Sequence, residues 1–146
     1  MKKIVIAFLL VLFVAGCKKN SGIDTRREKV TGLEGKWIAQ ESVETSFEGG
    51  IEVEKKVKNT FTEKDYIVFN YDGTAVSSYE GHGLQHSVYD VSAKTLVLAA
   101  ADNPNEKTEF EIKIWTGSDL VIARELIEVI KNVRYTTSVE ISFKKN

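Results

Sequence analysis

An all-β chain of antiparallel strands is what this sequence predicts, and three observations predict it. Beyond Val30 the residues are rich in Val, Ile, Thr, Tyr and Phe, there is a single proline (Pro104), and turn signals recur every several residues. Within the runs between those turns, apolar side chains alternate with polar ones, the period of a strand with one buried face.

The elements follow in order. Trp37 to Phe47 alternates loosely and ends at Gly49-Gly50, a two-glycine turn; Ile51, Val53, Val57 and Phe61 then share one face, which makes a hairpin. The charged stretch Glu52 to Lys58 leaves a strand, a short helix and a loop all open there. Tyr66 to Asn70 and Thr74 to Glu80 flank Tyr71-Asp72-Gly73, and Asp-Gly between apolar runs marks a hairpin because glycine tolerates positive φ. Leu84 to Val91 and Thr95 to Ala100 flank Ser92-Ala93-Lys94, and the loop Asp102-Asn103-Pro104-Asn105 follows. Lys107 to Trp115 sets Phe110, Ile112 and Ile114 on one face, Gly117-Ser118-Asp119 turns the chain, and Leu120 to Ile130 returns it. Tyr135, Thr137, Val139, Ile141 and Phe143 then form the cleanest period-two run. Eight strands, plus the uncertain one at Ile51, joined by short turns need sandwich packing or closure, and closure removes the exposed edges. A barrel of eight strands can hold one small ligand.

The amino terminus has a different character. Lys2 and Lys3 precede an apolar run of about 12 residues, too short for the roughly 20 that span a bilayer, followed by Val14-Ala15-Gly16-Cys17. That segment resembles the lipobox of bacterial lipoproteins. The resemblance implies that residues 1–16 are a cleaved signal peptide and that Cys17 carries a diacylglycerol, with an acyl (palmitate-type) chain on the new amino terminus, enough lipid to hold a membrane firmly. Lys18 to Lys29 has one apolar residue among dense charge, so residues 17–29 read as a flexible tether spanning roughly 20 Å. Residues 30–146 form the domain. Cys17 is the only cysteine, so no internal disulfide can form. Losing Lys2 and Lys3 leaves 18 of the 20 basic residues against 21 acidic ones, a formal charge of −3 that argues against a nucleic-acid partner.

Gly35-Lys36-Trp37, the hairpin Phe69 to Thr74, the turn Tyr89 to Leu96 and the closing strand into Phe143 together resemble a lipocalin-like domain of small bacterial envelope lipoproteins. The resemblance implies an up-and-down calycin barrel of eight to nine strands. It implies that Trp37 plugs the closed end with an arginine packed over it, for which Arg124 is the candidate. Leu120, Ile122 and Leu126 would turn Arg124 inward, whereas Val121, Ala123, Ile127 and Val129 would turn it outward, and a one-residue bulge decides between them. An up-and-down order also brings Trp115 to the end that holds Trp37.

Candidate chemistry is sparse. His82 and His86 flank Gly83-Leu84-Gln85, but four residues of straight strand span about 13 Å, so two imidazoles could share an ion only if Gly81 and Gly83 fold the segment back, and a polar loop tip is the better reading. There is no Gly-x-Ser-x-Gly elbow, no glycine-rich phosphate loop and no thiol left free after lipidation, so no enzyme activity, metal or cofactor is expected. Tyr66, Tyr71, Tyr79, Tyr89 and Tyr135 are expected to line the interior or cap its rim. The expected function is binding of a small apolar ligand by Phe69, Val91, Phe110, Ile112, Val139 and Ile141; the other reading is an envelope interaction module, an inhibitor or accessory subunit, with a filled barrel. Lys18 after the cysteine, and a tether without the acidic pair that resembles surface-export signals, place the expected protein on the outer membrane facing the periplasm.

Overall fold

The computed structural model describes residues 32–146; the expected signal peptide, Cys17 and the tether lie outside the described residues. Nine antiparallel strands follow in order: β1 (Gly35–Glu48), β2 (Ile51–Lys58), β3 (Tyr66–Phe69), β4 (Thr74–Tyr79), β5 (His82–Val91), β6 (Thr95–Ala100), β7 (Lys107–Trp115), β8 (Asp119–Ile130) and β9 (Val133–Lys145). No described residue is helical. The stretch left open by its charge is a strand, because the Gly49-Gly50 turn, with both residues at positive φ, folds it directly onto β1. The same two-residue turn, positive φ at both positions, recurs at Glu80-Gly81 and Lys131-Asn132.

Each strand pairs with the next from β3 to β9, and β9 pairs with β1 from Tyr135–Glu48 to Lys145–Trp37. The other edge of β1 is divided. Gly35 to Ile38 pairs with β3, the Ala39 amide donates to the Asp65 carbonyl at 2.8 Å, and Ser42 to Glu48 pairs with β2. The result is a closed barrel of eight strands, β1 and β3 to β9, with β2 as an additional strand.

Two bulges reset which side chains face inward. On β1, Ala39 stands opposite Phe143 and Glu41 opposite Ser142, so Gln40 is extra; Trp37 and Ala39 point inward before it, and Ser42, Glu44 and Ser46 share the inward face after it. On β2, Glu54 opposes Ser46 and Glu52 opposes Phe47, so Val53 is extra. That second bulge splits the single face expected of Ile51, Val53, Val57 and Phe61: Val57 lies opposite Val43 on the outer side, and Ile51 opposite Glu48 on the inner side.

The core fills one end of the barrel. Leu33, Trp37, Phe69, Leu96 and Leu120 are fully buried, with Ala39, Ile67, Ala75, Ile112, Ile122 and Phe143 packed among them. Trp37 leaves no polar atom unsatisfied, since its indole Nε1 donates to the Leu33 carbonyl at 2.6 Å. Trp115 packs against the same cluster, next to Gly32, which places both tryptophans at one end. The cation over the Trp37 ring is Lys145, whose Nζ lies 5.2 Å from the ring centroid and donates to the Gly32 carbonyl at 3.1 Å. This corrects the expectation for Arg124. Trp37 is level with Lys145 on β9 and Arg124 with Val139, six residues along, or about 20 Å away. Gly35, two residues before Trp37, holds φ at +118°, and a Cβ there would meet the Lys145 Cε at 3.0 Å, so both its conformation and its neighbour call for glycine.

Replacing Trp37 with Ala empties the largest fully buried site in this core. Equilibrium urea unfolding should show a loss of about 3 to 5 kcal/mol, whereas Lys145→Met, which keeps the aliphatic stem over the indole, should cost about 1 kcal/mol or less.

Candidate functional site

Toward the other end the inward side chains become smaller and more polar, and the barrel stops being filled. A cavity of about 940 Å³ lies there, within the range of small-molecule sites. Its floor is the upper surface of the core, Ile67, Ile122 and Phe143, and its apolar wall is made by Leu98, Phe110, Val139 and Ile141. Ser42, Ser77, Gln85, Ser87 and Thr108 supply polar groups, and Glu80, Leu84, Asp102 and Glu106 belong to the rim, near the β4–β5 turn and in the β6–β7 loop. The void follows from the Gln40 bulge, which directs Ser42 and Glu44 into the interior where an unbroken alternation from Trp37 would have directed Glu41 and Val43.

Of the six residues expected to hold a ligand, Phe110, Val139 and Ile141 line this cavity. Phe69 and Ile112 are buried in the core below it, and Val91 is half-buried against that core. Their faces were legible; their depth was not, because depth depends on the shear of the sheet rather than on alternation. Arg124 is inward and lines the cavity, level with Val139 on β9 and with Glu44 beyond it on β1. Among the tyrosines, Tyr66 and Tyr79 line the cavity, Tyr89 packs on the core with its hydroxyl donating to the Asn70 carbonyl at 2.9 Å, and Tyr71 is exposed. Burial pushes the Tyr79 and Tyr89 hydroxyls above the ordinary tyrosine range.

His82 and His86 are not at a loop tip. The turn is Glu80-Gly81, and both histidines belong to β5, with His82 opposite Tyr79 and His86 opposite Val76. Among the described residues no group of three His, Cys, Asp or Glu side chains is placed to share a metal ion.

One side of the rim is clamped. Asp65 accepts hydrogen bonds from the amides of Thr62 and Glu80 at 2.9 and 2.8 Å and from the Thr62 hydroxyl at 3.1 Å, tying the segment after β2 to the β4–β5 turn. Beside it Lys58 bonds Glu80 at 2.6 Å and lies 5.0 Å from the Phe61 ring, and Phe61 packs on Tyr79 with ring centroids 5.3 Å apart. These contacts seal the gap between β2 and β4, which do not pair.

The opposite side of the mouth is open. Pairing of β7 with β8 ends at Glu111–Ala123, yet β8 continues through Arg124 to Ile130, roughly 20 Å further. With β9, β1 and β2 it forms a four-stranded lip beyond the rim, whose outer strands have edges unpaired among the described residues. The lip is held by backbone pairing rather than burial: Val129 is 68% exposed and Val53 58%, and Leu126, Ile127 and Ile130 are about half exposed. Compared with known protein families, curated proteins and solved structures, the chain gives no match.

The amides of Thr62 and, first among the remaining causes, of Glu80 hold the Asp65 carboxyl below its ordinary value of 3.8. A depressed carboxyl stabilises the folded form at every pH above the ordinary value, and that contribution is lost as pH falls through the folded one. In an NMR pH titration the Thr62 and Glu80 amides should therefore move together with one midpoint below 3.8, and Asp65→Asn should abolish the shared transition.

Proposed function

We propose that this protein is an envelope lipoprotein that binds a small apolar ligand inside its barrel, anchored to the outer membrane by lipid on Cys17 and facing the periplasm. The observation that carries the binding reading is the cavity of about 940 Å³ above a buried, well-packed core, with an apolar wall at Leu98, Phe110, Val139 and Ile141. A chain of this size that only needed to be stable would fill that space, since each void forfeits packing energy. The geometry suits tethering from the amino terminus, because Gly32, the first described residue, lies beside Trp115 and Lys145 at the closed end and not at the mouth.

Native mass spectrometry of the protein drawn from its own host should show a bound species of small-molecule mass, and Ile141→Trp, which fills the cavity, should be recovered without it. Recovery of the unaltered protein with nothing bound contradicts the binding reading. For the anchor, Cys17→Ala should release the protein from the membrane fraction. A Cys17→Ala variant processed to the same mature length that still pellets with membranes contradicts the lipid reading.

A second reading, an interaction module serving as inhibitor or accessory subunit, is favoured by the lip alone, since exposed apolar side chains on a sheet with unpaired edges suit a protein partner. Under it, Val129→Lys and Ile127→Lys would remove a co-purifying protein while the cavity variant would not.

A further inference from the structure

Independently of what the cavity holds, we infer that the open edge of β8 pairs with the same edge of a second copy of this chain, antiparallel about a two-fold axis at Ile127, so that each copy closes the parted wall of the other's mouth. The case begins with the main chain. The Gly49 amide donates to the Arg134 carbonyl at 2.8 Å, so Arg134 turns its peptide groups toward β1 and Val133 turns its own toward Ile130 on β8. Direction alternates along an antiparallel ladder, so the even-numbered residues of this part of β8 bond β9, while Glu125, Ile127 and Val129 present N–H and C=O to the edge that β7 has left. Ala123, in the same phase, still has Glu111 of β7 opposite it. From Arg124 to Ile130 that edge is unpaired among the described residues.

The side chains of this segment say what covers it. Leu126 and Ile130 on the inner face and Ile127 and Val129 on the outer are all half exposed or more. A strand apolar on one face suits a lipid surface, whereas one apolar on both suits another strand laid beside it, which covers main chain and both faces together. The β2 edge of the lip is unsuited to that, being bulged at Val53 and carrying Lys55, Lys56 and Lys58.

Register and charge make the partner a second copy. Centred on Ile127, the pairing sets Ile127 opposite Ile127, Glu125 opposite Val129, Leu126 opposite Glu128 and Arg124 opposite Ile130, which uses every outward N–H and C=O and fills the open edge from end to end. Glu128 then lies diagonal to the partner's Arg124, and Glu125 to the partner's Lys131, within reach of long side chains, and no like charges are opposed. Moving the centre to Glu128 would set that carboxylate against its own copy, and moving it to Leu126 would bring Val129 against Ala123, whose edge β7 already holds. A two-fold pair closes on itself, whereas β8 against β2 would run on as a filament. In the closed pair the partner's β8 takes the place that β7 vacates beside Arg124, where the wall of the cavity parts.

The test is sedimentation velocity and disulfide mapping of the full chain carrying Cys17→Ala, which leaves no other thiol. With no cysteine introduced, the chain should pass from monomer to dimer as its concentration rises from micromolar to millimolar, since an edge of this length makes a weak interface. Ile127→Lys alone and Ile127→Glu alone should sediment as monomers, and an equal mixture of the two should recover the dimer, because position 127 faces itself. Under mild oxidant Ile127→Cys should link to itself, since facing Cα atoms of a hydrogen-bonded pair stand about 5.5 Å apart, a span a disulfide bridges. Glu125→Cys and Val129→Cys should each stay unlinked alone and link when mixed. A chain that remains monomeric throughout, a dimer that survives Ile127→Lys, no recovery in the mixture, self-linkage of Val129→Cys in place of Ile127→Cys, or filaments in place of a dimer would overturn the assignment.

Discussion

Strand β1 hydrogen-bonds to β9 from Trp37 to Glu48 with one residue, Gln40, left out of the register. That pairing turns a nine-stranded sheet into a closed barrel, and the single extra residue divides the barrel into two chemically different halves. Below it the inward residues of β1 are Trp37 and Ala39, which meet Phe69, Leu96, Leu120 and Phe143 in a core without unsatisfied buried side-chain polar atoms among the described residues. Above it they are Ser42, Glu44 and Ser46, too small or too polar to fill the space they face. An unbulged β1 would direct Glu41, Val43, Thr45 and Phe47 inward instead, and the lining of that half would be exchanged residue for residue.

The two halves divide the tasks of stability and recognition. The closed end holds the buried tryptophan, the indole-to-carbonyl hydrogen bond and the Lys145 cation over the ring, and it is where the chain enters the domain. Because the stabilising contacts lie there, the mouth can carry a guanidinium beside the Phe110 ring, a clamped rim on one side and a parted wall on the other without unfolding the barrel. The lip continues this gradient outward: backbone pairing persists along β1, β9 and β8 after side-chain burial has ended. Its charged β2 edge, with Glu52, Lys55 and Lys58, opposes indiscriminate pairing with other chains, and the more apolar β8 edge is the less protected of the two.

Much of the fold was legible in the residues. Gly49-Gly50, Asp72-Gly73 and Gly117-Ser118 marked turns because positive φ or loop hydrogen bonding favours those residues there, and the alternation of Tyr135 to Phe143 gave β9 its faces. Gly35-Lys36-Trp37 pointed to a buried tryptophan where the barrel is closed. What stayed hidden depended on register. Bulges at Gln40 and Val53 leave no mark in composition, yet each swaps the faces beyond it, which is why Glu44 lines the cavity and Val57 does not share a face with Ile51. Arg124 showed two competing alternations, and only its pairing opposite Val139 settles the inward one. Lys145 over Trp37 was invisible for another reason: it comes from the last strand's final residue, and its side chain is long enough for many neighbours to be in reach. His82 and His86 looked like loop residues because glycines surround them, although the Glu80-Gly81 turn ends before them.

The central claim is that one end of this barrel is a packed plug and the other an accessible cavity with an apolar wall. Amide-detected NMR titration of the chain with a small neutral, largely apolar probe such as cyclohexanol tests it most directly. The account predicts saturable shifts at Ser42, Ser77, Phe110, Arg124 and Ile141, with Gly35, Trp37 and Leu120 unmoved. Shifts confined to Val57, Ile127 and Val129 on the lip, or shifts at Trp37 equal to those at Ile141, would contradict it.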